Sequence, residues 1–208
     1  MKDIAVFGAG GFGRETALMI KQINKIKPIW NLLGFYDDGV KKEVDGLPVL
    51  GDVQVLNNSK REINIAIAIA NPAIKRKVIA SIINSHVVYP VLIHPLCQTG
   101  DEQNTFGQGC ILTSGCVLTN NVHFADFVIL NLLSTVGHDV TIGSYSSIMP
   151  NCSVSGFDRI GEGCMIGAGV RILQNLAIGK NVNVGAGAVV TKNVEDDVTV
   201  IGIPATRI

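Results

Sequence analysis

The sequence has few charged residues and no excess of either sign. Its 208 residues include 17 Lys and Arg against 17 Asp and Glu, so the net charge is zero, and only 16% of residues are charged. A nucleic-acid-binding domain needs a basic patch to contact phosphates, and the sequence contains no run of like charges long enough to form a charged tail. We therefore expect a chain that does not bind nucleic acid.

Long apolar runs are missing too. No apolar stretch approaches the roughly 20 residues that span a bilayer. The first fifteen residues contain one short apolar run followed by glycines and charges, without the apolar core and cleavage site of a signal peptide. We expect a soluble, cytoplasmic protein that does not bind membranes.

The C-terminal half contains a six-residue repeat. Every sixth residue is apolar at Phe106, Leu112, Leu118, Phe124, Leu130, Val136, Ile142, Ile148, Val154, Ile160, Ile166, Ile172, Ile178, Val184 and Val190. Hexapeptide periods are typical of a parallel β-helix, in which three hexads form one triangular coil. These fifteen hexads predict five coils, with residues eighteen apart stacked at the strand spacing of about 4.8 Å.

Cysteine adds no metal or disulfide pattern to this repeat. The five cysteines include no CxxC pair. Four of them occupy one place in the hexad, four residues after the apolar position, namely Cys110, Cys116, Cys152 and Cys164. Because free cysteine packs as a small hydrophobe, we predict that these side chains fill the core.

The first part of the chain alternates strands with helices. We predict strands over 4–7, 32–36 and 63–70, and helices over 14–24 and 72–84. A β-α-β order favours parallel pairing in an α/β unit. The predicted fold class is therefore α/β plus all-β, with a small Rossmann-like domain over 1–90 and a parallel β-helix with a C-terminal tail over 91–208.

A glycine-rich loop joins the first strand to the first helix. Gly8, Gly10 and Gly13 form G-x-G-x-x-G, a pattern that binds phosphates when it lies between strand and helix. Asp37 and Asp38 follow the second strand, where a ribose hydroxyl or base edge is held. Only one βαβ half is present, so a single nucleotide with an attached sugar fits better than NAD. A purely structural glycine turn is the alternative.

One corner of the predicted β-helix pairs an imidazole with a carboxylate. His138 and Asp139 lie two and three residues after Val136, and Gly156 lies eighteen residues beyond His138. A carboxylate beside histidine fixes its tautomer, as a general base requires. The amide of a glycine one coil away is suited to bind a developing oxyanion. A surface histidine without function is the alternative.

Several motifs together resemble one family. They are Gly8-Ala9-Gly10-Gly11-Phe12-Gly13, Phe35-Tyr36-Asp37-Asp38, Ile93-His94-Pro95, Asn131 to Val140 (NLLSTVGHDV) and Gly202-Ile203-Pro204-Ala205. In this order they resemble the hexapeptide-repeat sugar acetyltransferases of the sialic acid O-acetyltransferase and bacillosamine-pathway N-acetyltransferase type. The resemblance implies a nucleotide-sugar-binding Rossmann-like domain, a left-handed β-helix, acetyl-CoA as donor, and a homotrimer with active sites between neighbouring helices.

The resemblance also implies roles for individual residues. His138 matches the catalytic base, Asp139 its acidic partner, and Gly156 the glycine whose amide faces the thioester carbonyl. The positions matching acetyl-CoA contacts are Ser147, Gly156, Ala168 and Ala186. The positions matching substrate contacts are Gly10, Gly11, Phe12, Asp37, Asp38, Ala70 and Asn71. Three residues depart from the family pattern: Phe12 and Ser147 replace histidines, and Ala70 replaces a glycine.

We therefore expect an acetyl-CoA-dependent acetyltransferase that acts on a nucleotide-linked amino sugar by direct transfer. O-acetylation of sialic acid or another sugar hydroxyl is the first alternative. A non-catalytic nucleotide-sugar binder is another. A metal-dependent hydratase is the most remote, since a catalytic zinc needs three protein ligands and the repeat contains only His123 and His138. We expect no metal.

Overall fold

The computed structural model describes residues 1–39, 42–100 and 102–208. These residues form two compact units, Met1–Pro95 and Leu96–Ile208. The domain boundary predicted between residues 90 and 91 lies five residues before this division. Each unit is described by itself below.

The first unit is a parallel sheet with helices, as predicted. Its strands are β1 (Lys2–Phe7), β2 (Trp30–Tyr36), β3 (Val49–Gly51), β4 (Ile63–Ile67), β5 (Val87–Val88) and β6 (Leu92–Ile93). The first five form the sheet, in the order β3-β2-β1-β4-β5, and all pair in parallel. The helices are α1 (Gly11–Ile26), α2 (Val53–Asn57) and α3 (Pro72–Ser81).

The helices of this unit begin where their caps allow. Helix α1 starts three residues before the predicted Arg14, directly after the extended Gly10. Helix α2 was not predicted. Its cap is Asp52, whose carboxylate accepts hydrogen bonds from the amides of Gln54 and Val55. Asn71 caps α3 in the same way. Among the described residues, no helix is long and apolar enough to cross a bilayer.

The second unit is the predicted parallel β-helix. Its strands are β7 (Thr105–Phe106), β8 (Ile111–Leu112), β9 (Val117–Leu118), β10 (His123–Phe124), β11 (Ile129–Leu130), β12 (Thr135–Val136), β13 (Thr141–Ile142), β14 (Ser147–Ile148), β15 (Ser153–Val154), β16 (Arg159–Ile160), β17 (Met165–Ile166), β18 (Arg171–Ile172), β19 (Ala177–Ile178), β20 (Asn183–Val184), β21 (Val189–Val190), β22 (Thr199–Ile201) and β23 (Thr206–Arg207). Strands β7 to β21 pair with every third strand along the chain.

Strand register confirms the coil length. Thr135 pairs with Val117 below it and with Ser153 above it, eighteen residues away in each direction. The three resulting faces hold β7-β10-β13-β16-β19, β8-β11-β14-β17-β20 and β9-β12-β15-β18-β21. The tail adds β22 to the second face in parallel, and β23 pairs with β22 in antiparallel fashion.

The periodic apolar residues form the core of the β-helix. All of them are buried except Phe106 in the first coil, which is half-buried. Many corners between the faces carry a non-glycine residue in the left-handed region, among them Asp139 at φ 59° and Phe157 at φ 62°. Such corners turn the chain and direct the neighbouring side chains outward.

Side chains at the hexad position of the cysteines fill the core and also form hydrogen bonds with the backbone. Cys110, Cys116, Cys152 and Cys164 are buried, and each thiol donates to a backbone carbonyl fifteen residues later. At the same place, Ser134, Ser146 and Asp158 each accept the amide hydrogen of the residue eighteen positions later. Polar side chains inside the β-helix therefore satisfy inward-pointing amides of the corners.

Candidate active site

His138 and Asp139 lie at the corner that follows β12. The turn is fixed by the backbone, since the amide of Asp139 donates to Asn120 O at 3.1 Å and His138 O accepts from the amide of Phe157 at 2.9 Å. The side chains meet as the sequence predicts, with His138 Nδ1 at 2.8 Å from Asp139 Oδ2. Half of the His138 side chain is exposed, so the ring is accessible from solvent.

The charge of Asp139 determines which histidine nitrogen carries the proton. Hydrogen bonds from Asn121 and from His138 hold the pKa of the Asp139 carboxyl below its ordinary value. The carboxylate is therefore ionised and only accepts hydrogen bonds, so His138 Nδ1 donates. In the neutral ring, Nε2 then keeps its lone pair, which is the form a general base requires.

Gly156 lies against the free edge of this imidazole. A Cβ added at Gly156 would be 2.7 Å from both Nε2 and Cε1 of His138. The next residue, Phe157, packs at right angles against the ring, with centroids 4.9 Å apart and an interplanar angle of 87°. Within the described residues, the amide of Gly156 has no hydrogen-bond acceptor. The corner thus combines a basic nitrogen with an unpaired amide one coil away.

Residues that the sequence interpretation did not single out lie one coil below. Asn121 Nδ2 donates to Asp139 Oδ1 at 2.6 Å, and Asn121 Oδ1 is 2.9 Å from His123 Nε2. His123 Nδ1 is in turn 2.8 Å from Thr105 Oγ1. The eighteen-residue spacing from Asn121 to Asp139, and from Thr105 to His123, was the available sequence signal.

The residues predicted to contact acetyl-CoA do not all join this corner. Ala168 and Ala186 are exposed and stack above one another, but they lie at the corner after β17 and β20, on another edge of the β-helix. Ser147 is completely buried and offers no surface to a ligand, contrary to expectation. Within one chain, only Gly156 of these four lies beside His138.

The glycine loop of the first unit separates structural from open positions. Gly8 has φ 104°, and a Cβ on Gly13 would be 1.8 Å from Gly8 O, so both positions exclude side chains. A Cβ added at Gly10 or Gly11 would meet none of the described residues within 4 Å. They begin α1, whose first turn contains no acidic residue. Open space and the first amides of α1 coincide at these two glycines, as an anion site requires.

The polar side chains predicted to contact the substrate in this unit accept hydrogen bonds from backbone amides. Asp37 Oδ2 accepts the amide of Ala9 at 2.8 Å and Oδ1 accepts the amide of Gly39, which ties Asp37 to the glycine loop. Asp38 Oδ1 accepts the amide of Val53 at 3.0 Å. Asn71 Oδ1 accepts a hydrogen bond from the amide of Ile74 at 3.0 Å.

The remaining predicted positions, Phe12 and Ala70, are half-buried. A cavity of about 390 Å³ lies along α1 and reaches Arg14, Lys21 and Asp45, but Gly11 is the one predicted contact that lines it. In the described part of the chain, no group of three or more His, Cys, Asp or Glu residues is arranged to hold a metal ion.

A segment of each unit matches a known protein family. Residues 3–82 match the family described as the PglD N-terminal domain. Residues 159–192 match the bacterial transferase hexapeptide family with six repeats.

Individual relatives agree with these assignments. The chain is 35% identical to the GDP-perosamine N-acetyltransferase of Escherichia coli O157:H7 over 160 residues, covering 76% of this chain and 72% of the relative. It resembles the acetyltransferase domain of PglB from Neisseria gonorrhoeae FA1090 in complex with acetyl coenzyme A, at 32% identity and a TM-score of 0.89 over 100% and 99% of the two chains. It also resembles WeeI from Acinetobacter baumannii AYE, at 31% identity and a TM-score of 0.90 over the full length of both. The chain therefore belongs to the hexapeptide-repeat sugar acetyltransferases of the bacillosamine-pathway N-acetyltransferase type, and it is an acyltransferase that uses acetyl-CoA.

Proposed function

We propose that this enzyme transfers the acetyl group of acetyl-CoA to the amino group of a nucleotide-linked amino sugar. The observation that carries the proposal is the His138 corner, where Nδ1 is paired with Asp139 at 2.8 Å and Nε2 lies against Gly156. A relative named GDP-perosamine N-acetyltransferase supports an amine acceptor on a nucleotide sugar. The leading acceptor is a nucleotide-linked 4-amino-4,6-dideoxy sugar.

The geometry supports direct transfer with His138 as general base. His138 Nε2 accepts a proton from the sugar amine as the nitrogen attacks the thioester carbonyl. The free amide of Gly156 donates to the oxyanion that forms. Collapse of this intermediate breaks the carbon–sulfur bond, and the departing CoA sulfur takes up the proton that His138 Nε2 had accepted, which restores the neutral base. Asp139 stabilises the imidazolium throughout, and no covalent enzyme intermediate is needed.

The proposed binding regions follow from the open positions. In the first unit, the amides at Gly10 and Gly11 are suited to a diphosphate. Asp37 holds the glycine loop in place by accepting the Ala9 amide. We therefore propose that it shapes the nucleotide site in addition to contacting the substrate. Phe12, Asp38, Ala70 and Asn71 complete the proposed substrate contacts. Ser147 is omitted because it is buried.

The separation of the acetyl-CoA residues supports a site shared between two copies of the chain, as in the homotrimer that the family resemblance implies. Ala168 and Ala186 lie on a different edge of the β-helix from His138 and Gly156. A single extended donor molecule that touches both edges would have to lie between two copies of the chain. We therefore propose that each active site is completed by a neighbouring protomer.

The test is acetyl transfer by purified His138→Ala with a panel of acceptors. Release of CoA thiol is measured with GDP-, UDP- and dTDP-linked 4-amino-4,6-dideoxy sugars and with sialic acid. We expect wild-type turnover with one amino sugar, and turnover lower by roughly 10²- to 10⁴-fold in the variant. Unchanged circular dichroism and sedimentation of the variant serve as the folding control. Wild-type activity in His138→Ala disproves the assigned base, and a preference for sialic acid points to O-acetylation instead.

A further inference from the structure

Hydrogen bonds extend from the His138–Asp139 pair into the coil below. Starting at His138, the bonded atoms are Asp139 Oδ2 and Oδ1, Asn121 Nδ2 and Oδ1, His123 Nε2 and Nδ1, and Thr105 Oγ1. Each link is between 2.6 and 2.9 Å long. The series crosses two coils, because Thr105 lies eighteen residues before His123 and Asn121 eighteen before Asp139.

The charge on Asp139 sets the direction of every link. An ionised carboxylate only accepts, so Asn121 must present its NH₂ group to Asp139 and its oxygen to His123. His123 must then carry a proton on Nε2. When the His123 ring is neutral, its Nδ1 accepts the hydroxyl hydrogen of Thr105. One arrangement of donors and acceptors therefore satisfies all five side chains, with no amide flip left open.

This arrangement leaves Asp139 a single oxygen for His138. Oδ1 is occupied by Asn121, and Oδ2 faces His138 Nδ1. Asp139 itself is one-third exposed, so without Asn121 its carboxylate is free to rotate into solvent. The bond from Asn121 is also the largest cause of the lowered pKa of the Asp139 carboxyl. The His138 ring also packs at right angles against the ring of Phe157.

We propose that Asn121, held in place by His123, is a positioning residue that locks Asp139 and thereby keeps His138 in the tautomer with a free Nε2. The proposal rests on the assignment of His138 as general base. Neither Asn121 nor His123 needs to touch the substrate. Their effect reaches the reaction through the orientation of the Asp139 carboxylate.

The molecule contains a matched control for the purely structural alternative. Asn181 Nδ2 donates to Asp197 Oδ1 at 2.8 Å, at another corner of the β-helix. Asn181 and Asn121 both have left-handed backbones, with φ 53° and 56°. Among the residues that the structure describes, no histidine is hydrogen-bonded to the Asn181–Asp197 pair. If an Asn–Asp bond between coils serves stability alone, removing either one should have the same consequence.

The experiment compares Asn121→Gly with Asn181→Gly, since glycine removes the side chain without strain at a left-handed position. We expect kcat to fall about tenfold in Asn121→Gly, a part of the roughly 10²- to 10⁴-fold contribution of a general base. The KM values for both substrates should stay within about twofold. Asn181→Gly should keep wild-type kinetics. Thermal unfolding of both variants reports any shared loss of stability.

Two further measurements separate positioning from structure. Nitrogen-15 NMR of the imidazole should show neutral His138 protonated on Nδ1 in the wild type and a mixture of tautomers in Asn121→Gly. His123→Phe should lower kcat by about threefold, a fraction of the effect of losing the base. It should add nothing in the Asn121→Gly background, because His123 acts through Asn121.

The proposal is overturned if Asn121→Gly and Asn181→Gly have equal kinetics and the His138 tautomer is unchanged. It is also overturned if the effects of Asn121→Gly and His123→Phe add independently. His138→Ala is measured alongside. If His138→Ala loses activity while Asn121→Gly keeps wild-type kinetics, only the positioning role of Asn121 is rejected. Full activity in His138→Ala rejects the base assignment on which that role rests.

Discussion

The two units expose different chemical groups at their candidate sites. In the β-helix, stacked corners present side chains, and His138 Nε2 faces outward beside Gly156. In the first unit, the side chains of Asp37 and Asp38 are occupied by backbone amides, and the open positions are the glycines at the start of α1. The β-helix therefore offers an acid–base group, while the first unit offers backbone amides suited to an anion.

The glycine loop gives the sharpest way to break this comparison, because its glycines differ in kind. A Cβ on Gly13 would be 1.8 Å from the backbone oxygen of Gly8, so Gly13→Ala forces the strand and α1 apart. We expect a loss of at least about 3 kcal/mol in the free energy of unfolding of this unit. Urea unfolding followed by circular dichroism measures it.

Gly11→Ala is the matched control. No atom of the part of the chain that the structure describes lies within 4 Å of its added Cβ, so the free energy of unfolding should change by less than about 1 kcal/mol. If the amides here bind the nucleotide sugar, KM for that substrate should rise while KM for acetyl-CoA stays constant. An unchanged KM for the nucleotide sugar would make the loop a structural turn and remove the proposed anion site.

Gly156→Ala tests the corresponding point in the β-helix. The added methyl would be 2.7 Å from Nε2 and Cε1 of His138, so the ring must move away from its position against the coil above. We expect kcat to fall by roughly 10²-fold, because a displaced base loses much of its contribution. Steady-state kinetics of the single variant and of Gly156→Ala in the His138→Ala background provide the measurement.

In that double variant the methyl has no imidazole to displace. The second substitution should therefore add little to the effect of the first. If Gly156→Ala lowers activity equally in both backgrounds, the glycine acts through its own amide or through the substrate, and the contact with His138 is incidental.

The regular repeat explains why the β-helix was predictable in such detail. A fixed period of eighteen residues places Gly156 above His138 without any knowledge of the structure. The same arithmetic downward from Asp139 leads to Asn121, but nothing in the sequence shows that its side chain turns toward Asp139 and His123 rather than solvent. That choice depends on the left-handed corner and on the donors around it.

A family resemblance does not show whether a given side chain is buried in this chain. Ser147 occupies a strand position whose side chain should point away from the core, yet it is fully buried. Asp158 occupies the same place in the hexad as the buried cysteines and is buried too, but its carboxylate accepts hydrogen bonds from the amides of Ser155 and Leu176. Periodicity predicts which way a side chain points, but burial and bonding depend on three-dimensional neighbours.

Asp158 gives the smallest effect that still distinguishes the two units, because it sets a pH dependence specific to the β-helix. Burial raises the pKa of its carboxyl from 3.8 to about 6, despite two amide hydrogen bonds. Between these values the folded chain holds a proton that the unfolded chain releases, so the free energy of unfolding falls as pH rises. Asp158 should therefore lower stability by about 2 kcal/mol between roughly pH 4.5 and 7.5.

Asp158→Asn removes this ionisation, so the measurement is the difference between wild type and variant in urea unfolding at both pH values. Asparagine keeps an acceptor for the Leu176 amide but cannot accept from the Ser155 amide. The lost hydrogen bond changes the free energy of unfolding of the variant by the same amount at every pH. The fall in the free energy of unfolding with rising pH should appear in the wild type alone. It should level off above about pH 6, where the folded carboxyl is ionised too. Parallel stability curves for the two proteins across this range would show that the carboxyl titrates in the folded chain as it does in the unfolded one, and that the interior of this corner is wetter than its burial indicates.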